Sequence, residues 1–501
     1  MKMKPVDKDM RIAQLEDEVR RLQAMIDTLT SINIQLHASI ESLNGTILEL
    51  NQTIKELKER LNKNSRNSSK PPSSDGPGKP PGAEAYVLLR GNPKAVSRIT
   101  PGKSLNIDTS KVDRYVNHIA PGCENCPHKA ECMAKVAVTD RHYVLDIAFS
   151  KTLVCHQTVR MTSCRMSHTD LEGAFPKEAN APVRYGDTLT AFAVTLNTIG
   201  AMSINRINSV LSDAFALPVS VGTISSMVKR CAEGLKSTVN TIRSLVTGSP
   251  VVNFDETGTR VDGHNKWIHT ACTDKYTYLS YSSKRGWKGM EEAGVLNVFA
   301  GIAVHDCWKP YWHFKGITHA TCNVHLLREL NGIRENNPEQ TWPIKFTDLL
   351  IEGLNTVKKA KETGRYSLQD EYLQQYAVQY DEIMELAHEE NPYPEPPPGK
   401  KRGRKKKGKI LSLIERLEEY KASVCLFLRN FGVPFDNNGA ERSFRHVKVK
   451  TKVSGCFRTE DGARDYVAIM SYVGTAQKHG INPFSAILSA VSGMPEVIFA
   501  S

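Results

Sequence analysis

The 501-residue chain has no apolar run long enough to span a bilayer, and its opening Met1-Lys2-Met3-Lys4-Pro5 leads into no signal-peptide core. The expectation is a soluble cytoplasmic protein without a membrane partner. It also lacks the even, regularly spaced cysteines of a disulfide framework. Its eleven cysteines are scattered except for a cluster between Cys123 and Cys164, and in a reducing compartment such a cluster points to metal. Acidic residues are the minority: 54 Asp and Glu stand against 66 Lys and Arg, for a formal charge of +12 and a pI of about 9.0. That excess suits a polyanionic partner without identifying one. The length accommodates three or four domains.

Residues 1–61 form the first. A heptad places Ile12, Val19, Ile26, Asn33, Ile40, Ile47, Ile54 and Leu61 at a, with Leu15, Leu22, Leu29, Leu36, Leu43, Leu50 and Leu57 at d. β-Branched a residues over Leu at d predict a parallel two-stranded leucine-zipper coiled coil, with Asn33 setting register. Residues 62–104 are rich in Pro, Ser and Gly and read as a flexible linker. Residues 105–175 carry Cys123-x-x-Cys126 and Cys164-x3-His168, the spacing of a structural Zn²⁺ module. Cys132, Cys155, His142 and His156 compete for the fourth ligand, and strands are expected at 141–149 and 153–162.

Residues 176–248 turn helical. Helices at 203–215 and 223–235 around a short turn resemble a helix-turn-helix, with Lys229 and Arg230 on the second as candidate DNA contacts. Residues 249–330 open an α/β core: a strand at 251–258, a hairpin of 266–271 and 276–281, a helix near 288–298, and a strand ending at Asp306. A helix is expected over 318–334. Residues 331–430 read as a helical insertion containing a long charged helical tract at 348–390, a Pro-rich stretch and basic loop, and a helix at 410–431. Residues 431–475 return to the core with a helix opened by Asn437-Asn438, and residues 476–501 form a tail.

Three acids stand out. Val251-Val252-Asn253-Phe254-Asp255 and Ile302-Ala303-Val304-His305-Asp306 are apolar strands ending in carboxylates, and Glu441 lies in the first turn of a helix. Strand ends at a sheet edge are common sites, and three hard oxygen ligands suit a two-metal phosphoryl-transfer centre. Glu256 and Asp262 are alternatives near the first strand. Alternation sets Asn253 and Asp255 on one face and Phe254 and Glu256 on the other, which favours Asp255. Asn438-x-x-Glu441 could also be a capping pair. Arg442, Arg445, Lys448, Lys450 and Lys452 crowd after Glu441, either as a solvated basic face or as contacts to a scissile strand.

These motifs in this order resemble the "IS sixty-six" insertion-sequence transposases over nearly the whole chain. The likeness includes the zipper, the Asn67-Ser68-Ser69-Lys70-Pro71-Pro72 linker, the cysteine module and Phe254-Asp255-Glu256-Thr257. It continues through Cys322-Asn323-Val324-His325, Asn437-Asn438-x-x-Glu441-Arg442 and Lys478-His479-Gly480-Ile481-Asn482-Pro483. The resemblance implies a ribonuclease-H-like catalytic core with Asp255, Asp306 and Glu441 as the catalytic carboxylates and Mg²⁺ (or Mn²⁺) as cofactor. It further implies a nucleoid-associated enzyme that cleaves and joins DNA, working on element ends and target DNA as a homodimer or higher oligomer with possible accessory proteins. The cysteine spacing is less regular than the family's paired Cys-x-x-Cys. A DNA-binding regulator with a dead catalytic domain, or a nuclease without strand transfer, are the alternatives.

Overall fold

The computed structural model describes residues 5–62, 110, 112, 125, 127–133, 151–158, 160–161, 171–172, 174–175, 182–393 and 408–495. Cys123, Cys126, His142, Cys164 and His168, the 141–149 strand, the linker and the basic loop lie outside these residues. The chain divides into two compact units: Met1–Ala85, His325–Glu352 and Gln374–Glu418 make one; Tyr86–Val324, Gly353–Leu373 and Glu419–Ser501 make the other.

The first unit begins with α1 (Pro5–Asn62), one helix of 58 residues, about 87 Å long at 1.5 Å per residue. Its a and d side chains from Ile12 to Leu57, the polar Asn33 among them, are exposed wherever described. In the second unit come a short α2 (Lys129–Met133), which carries Cys132, and the two-residue strands β1 (Arg160–Met161) and β2 (Leu171–Glu172). Residues 151–158 have no regular structure, so the expected 153–162 strand shrinks to the residues that pair with β2. Cys155 and His156 are exposed there.

Four helices follow: α3 (Asp187–Thr198), α4 (Ile204–Phe215), α5 (Val221–Gly234) and α6 (Lys236–Thr247). Helix α4 ends on Ala216 in the left-handed region (φ 48°), and α5 starts where Ser220 Oγ accepts from Thr223 N at 3.1 Å. Ile207 and Leu211 of α4 and Ile224 and Met227 of α5 bury against Ala193 of α3. This tight helix pair leaves Lys229 and Arg230 on the solvent side.

The sheet contains β3 (Val251–Val261), β4 (His264–Cys272), β5 (Thr277–Ser282), β6 (Ile302–His305) and β7 (Thr318–Thr321), with α7 (Trp287–Glu292) between β5 and β6. Its order is β5-β4-β3-β6-β7; β3, β4 and β5 run antiparallel, and β6 and β7 run parallel to β3. This mixed sheet is compatible with a ribonuclease-H-like core. Strand β3 continues past the expected stop at Gly258, and β4 turns back through Asp262 and Gly263, both at positive φ (48° and 72°), as a two-residue type I′ hairpin requires.

Four sequence expectations need correction. Thr318–Thr321 is a parallel edge strand, not the start of a helix, because its backbone pairs with β6. The helix near 288–298 stops at Glu292, two residues before Gly294 at φ 68°. The 348–390 tract is two helices, α9 (Trp342–Glu362) and α10 (Asp370–Glu390), after α8 (Asn323–Asn336); Gly364 at φ 75° lies in the break. The 410–431 helix is three pieces, α11 (Lys409–Glu419), α12 (Lys421–Val424) and α13 (Leu426–Arg429). Within the first unit, Phe346 meets Tyr380 edge-on at 4.9 Å and Tyr380 OH donates to Leu417 O at 2.8 Å. There too the Glu390 carboxylate accepts from Thr341 N at 2.9 Å, beside the buried Trp342.

The second unit closes with α14 (Asn438–Ser443), α15 (Arg445–Ser454), α16 (Glu460–Lys478) and α17 (Pro483–Val491). Residues read as a tail thus supply α17, whose Ala486, Ile487 and Ala490 join a core with Val252, Phe254, Ala303 and Tyr472. Helix α16 lies along the edge strand β5. Thr475 Oγ1 accepts from Thr277 N (3.0 Å) and Ser471 Oγ from Leu279 N (2.9 Å), so two hydroxyls one helical turn apart satisfy amides that have no strand beside them. Gly474 permits this approach, since a Cβ there would stand 3.2 Å from Thr277.

Candidate functional site

The parallel ladder between β3 and β6 is short: Val251, Val252 and Asn253 face Ile302, Ala303 and Val304, and the pairing stops. Pro250 O accepts from Ile302 N at 2.8 Å, so alternate carbonyls of β3 point toward β6. The carbonyl of Phe254 falls where the ladder has ended. Asn437 fills that place: its Nδ2 donates to Phe254 O (2.8 Å), its Oδ1 accepts from Asn253 Nδ2 (2.8 Å), and its N–H donates to Cys322 Sγ (3.1 Å). Asn437 is 1% exposed. Its side chain makes no cap bond to α14, being used to seat that helix on β3 where the ladder with β6 ends. Glu441 N then donates to Asn437 O at 3.2 Å, which places Glu441 in the first turn.

Asp306 follows β6 directly. Its Oδ1 accepts from Trp308 N (2.9 Å), and Cys307 between them is held at φ 67°, a conformation costly for a residue with a Cβ. Asp255, half-buried on β3, accepts from Glu256 N at 2.8 Å. The structure brings Asp255, Asp306 and Glu441 into one electrostatic neighbourhood. Burial pushes Asp255 well above the usual carboxylate range, the charges of Glu256, Asp306 and Glu441 push it further, and only the Glu256 amide pulls it back. Such mutual repulsion is what a cation would relieve, and the all-carboxylate donor set suits a hard divalent ion. Among the described residues, however, no three His, Cys, Asp or Glu side chains are drawn into a finished ligand cluster. The carboxylates interact without being closed round an ion.

Glu256 faces the opposite way, as strand alternation requires. Arg285 Nε and Nη2 donate to its Oε1 at 3.1 and 2.9 Å, and Tyr311 OH donates to its Oε2 at 2.8 Å. Burial and the Asp306 charge raise Glu256 to about 7 against the opposing pull of Tyr311 and Arg285. The Arg285 guanidinium lies 4.0 Å from the Trp308 ring centroid and 4.8 Å from that of Trp267. Behind Tyr311, His305 stacks on its ring at 4.4 Å. His305 Nδ1 accepts from Cys307 N (3.1 Å), which assigns its proton to Nε2 and directs it to His319 Nδ1 (3.0 Å). Burial holds both imidazoles below their ordinary pKa, and so neutral. Asp262 sits in the hairpin turn, seven residues along β3 from Asp255, or roughly 23 Å at 3.3 Å per residue.

The basic tract after Glu441 divides. Arg442, Arg445 and Lys452 are exposed and Lys448 is half-buried. Lys450 departs from the expected DNA contact: it is buried, and its Nζ donates to Asn197 O (2.9 Å) and Met202 O (2.7 Å) at the end of α3. Burial lowers its pKa to about 8. Arg285, Tyr311 and Trp308 went unnoticed in the sequence because they sit in no motif. Asn437 was visible only as half of a turn signal.

Residues 182–465 match the family model described as "Transposase IS66 family". Residues 2–86 match a second, described as "Family of unknown function (DUF6444)". No curated protein matches the chain.

Proposed function

The chain belongs to the IS66 family of transposases, and we propose that it is a DNA transposase that cleaves the ends of an insertion sequence and joins them to target DNA. The observation that carries this reading is the convergence of Asp255, in the middle of β3 just past its ladder with β6, with Asp306 after β6 and Glu441 at the start of α14, where the charges of Asp306 and Glu441 act on Asp255. These three would hold Mg²⁺ or Mn²⁺. Such ions, when bound, activate the attacking oxygen and stabilise the leaving one.

The chain's own part is positioning. Asn437 locks the Glu441 helix to β3, and the Asp306 turn is held by Trp308 N. Arg442, Arg445, Lys448 and Lys452 would contact phosphates next to Glu441, and Lys229 and Arg230 would contact DNA from α5. No serine or tyrosine nucleophile is required, since water opens the phosphodiester and the freed 3′-hydroxyl attacks the target.

Two assemblies accompany the proposal. The exposed a/d seam of α1 would pair with a second copy to hold two element ends, and residues 1–65 sedimenting as a monomer at micromolar concentration refutes that pairing. A structural zinc on Cys123, Cys126, Cys164 and His168, with Cys132 as the alternative, rests on spacing alone. Metal analysis of the full chain should find one equivalent that falls in Cys123→Ser.

The enzymatic reading is tested with labelled element-end DNA and Mg²⁺, scoring nicked and joined products. Nicking without joining reduces the protein to a nuclease. Binding without either makes it a regulator.

A further inference from the structure

Beside Asp306 the second unit builds a surface that the carboxylates do not use. Lys284-Arg285-Gly286-Trp287-Lys288 leads from β5 into α7, and a 3₁₀ turn, Lys309–His313, follows Asp306. The two stretches meet: the Trp287 ring stacks on His313, with centroids 4.6 Å apart and planes at 26°. Lys288 Nζ lies 5.4 Å from the Trp287 ring centroid. Trp287 remains 38% exposed, and Lys284, Lys288, Lys309 and His313 are exposed around it.

An indole at a surface can simply cover apolar neighbours. Here it is stacked on an imidazole that is itself exposed, so the ring is held at a set orientation with part of its surface open to solvent. Flat rings interleaved with cations are the chemistry that receives single-stranded nucleic acid, with bases on the rings and phosphates on the cations. A duplex has its bases already stacked and offers mainly phosphates, so it would leave the indole unused. Arg285 supports the same reading. Its bonds to Glu256 use Nε and Nη2, while Trp308 and Trp267 hold the guanidinium in place, which leaves Nη1 for a further acceptor.

We propose that Trp287, with Arg285 and Lys288, forms a binding site for an unpaired nucleotide of DNA, the base stacking on Trp287 and the neighbouring phosphates engaging Arg285 and Lys288. Its position beside Asp306 as a holder of the strand to be cut rests on the transposase reading. The affinity for single strands does not.

The test uses the full-length protein with a single-stranded oligonucleotide containing 2-aminopurine and with a blunt duplex. Wild type should quench the 2-aminopurine on binding. Trp287→Ala should abolish the quench and weaken single-strand affinity about tenfold, with duplex affinity changed by less than about twofold. Trp287→Phe should restore most of both signals, which a merely structural indole would not require. The proposal is overturned if Trp287→Ala matches wild type on the single strand, if wild type does not quench, or if Trp287→Ala weakens both DNAs equally. Cleavage of labelled element ends in Mg²⁺ is scored separately. Protein that quenches but never cleaves retains the nucleotide site and loses the transposase reading, whereas normal cleavage with an unaffected Trp287→Ala does the reverse.

Discussion

The two faces of β3 at its midpoint carry adjacent carboxylates with opposite surroundings. Asp255 looks toward Asp306 and Glu441 and has only a backbone amide to steady its charge. Glu256, one residue on, is held by Arg285 and Tyr311. Both are pushed upward in pKa, but the remedies differ. Glu256 already has its cation within the chain, and Asp255 does not. A carboxylate provided with a protein cation is a structural device, and one surrounded by its own kind calls for a cation from outside.

The sharpest way to break this comparison is to remove the charge from one face at a time. Asp255→Asn, Asp306→Asn and Glu441→Gln should each reduce both cleavage and joining to background while end binding persists, as measured on labelled ends in Mg²⁺. If Glu256→Gln is silent in binding but equally dead in cleavage, and Glu441→Gln still cuts, the two faces have been assigned the wrong way round.

Asn437→Ala comes next. It strands Phe254 O and removes the partner of Asn253 Nδ2 at a buried site, so it should cost about 2–4 kcal/mol in denaturant unfolding and lower activity with it. Retained stability combined with retained activity would show that the Glu441 helix is seated by other means.

The pH dependence then separates the faces without a substrate. Glu256 has a folded pKa of about 7, raised from 4.5, so the folded state holds its proton longer than the unfolded state does. Its contribution to stability is fully present below pH 4.5 and is lost as the pH rises through 7, a change on the order of 3 kcal/mol. In EDTA-treated protein, Glu256→Gln should flatten that decline in melts between pH 5 and 8. An unchanged slope would place the titration elsewhere.

The smallest effect concerns the basic tract. Lys448→Ala and Lys452→Ala should each reduce the salt slope of DNA binding by about one. Lys450→Met should leave that slope unchanged, because its ammonium is committed to the carbonyls of Asn197 and Met202.

Much of this arrangement was legible in the sequence where a local pattern decides the outcome. Alternation over Asn253 to Glu256 separated the two carboxylates, and the β4–β5 hairpin followed from two β-rich runs across a polar turn. Thr318–Thr321 was misread because four residues are too few to show a period before a helix begins, and its strand character comes from pairing with β6. Lys450 was misassigned for a related reason: a run of cations looks uniform until packing turns one side chain inward. Arg285 and Tyr311 were invisible because their meaning lies in Glu256, 29 and 55 residues away. The expected zinc ligands lie outside the described residues.

The helix along β5 has a further consequence. A strand with bare amides is a template on which another chain can crystallise as an added strand, the first step toward domain exchange or fibrillar aggregates. Ser471 and Thr475 occupy those amides with side chains, and Gly474 lets the helix lie close enough to do it. At that margin the amides of Thr277 and Leu279 are already taken, so an added strand would find those two donors occupied.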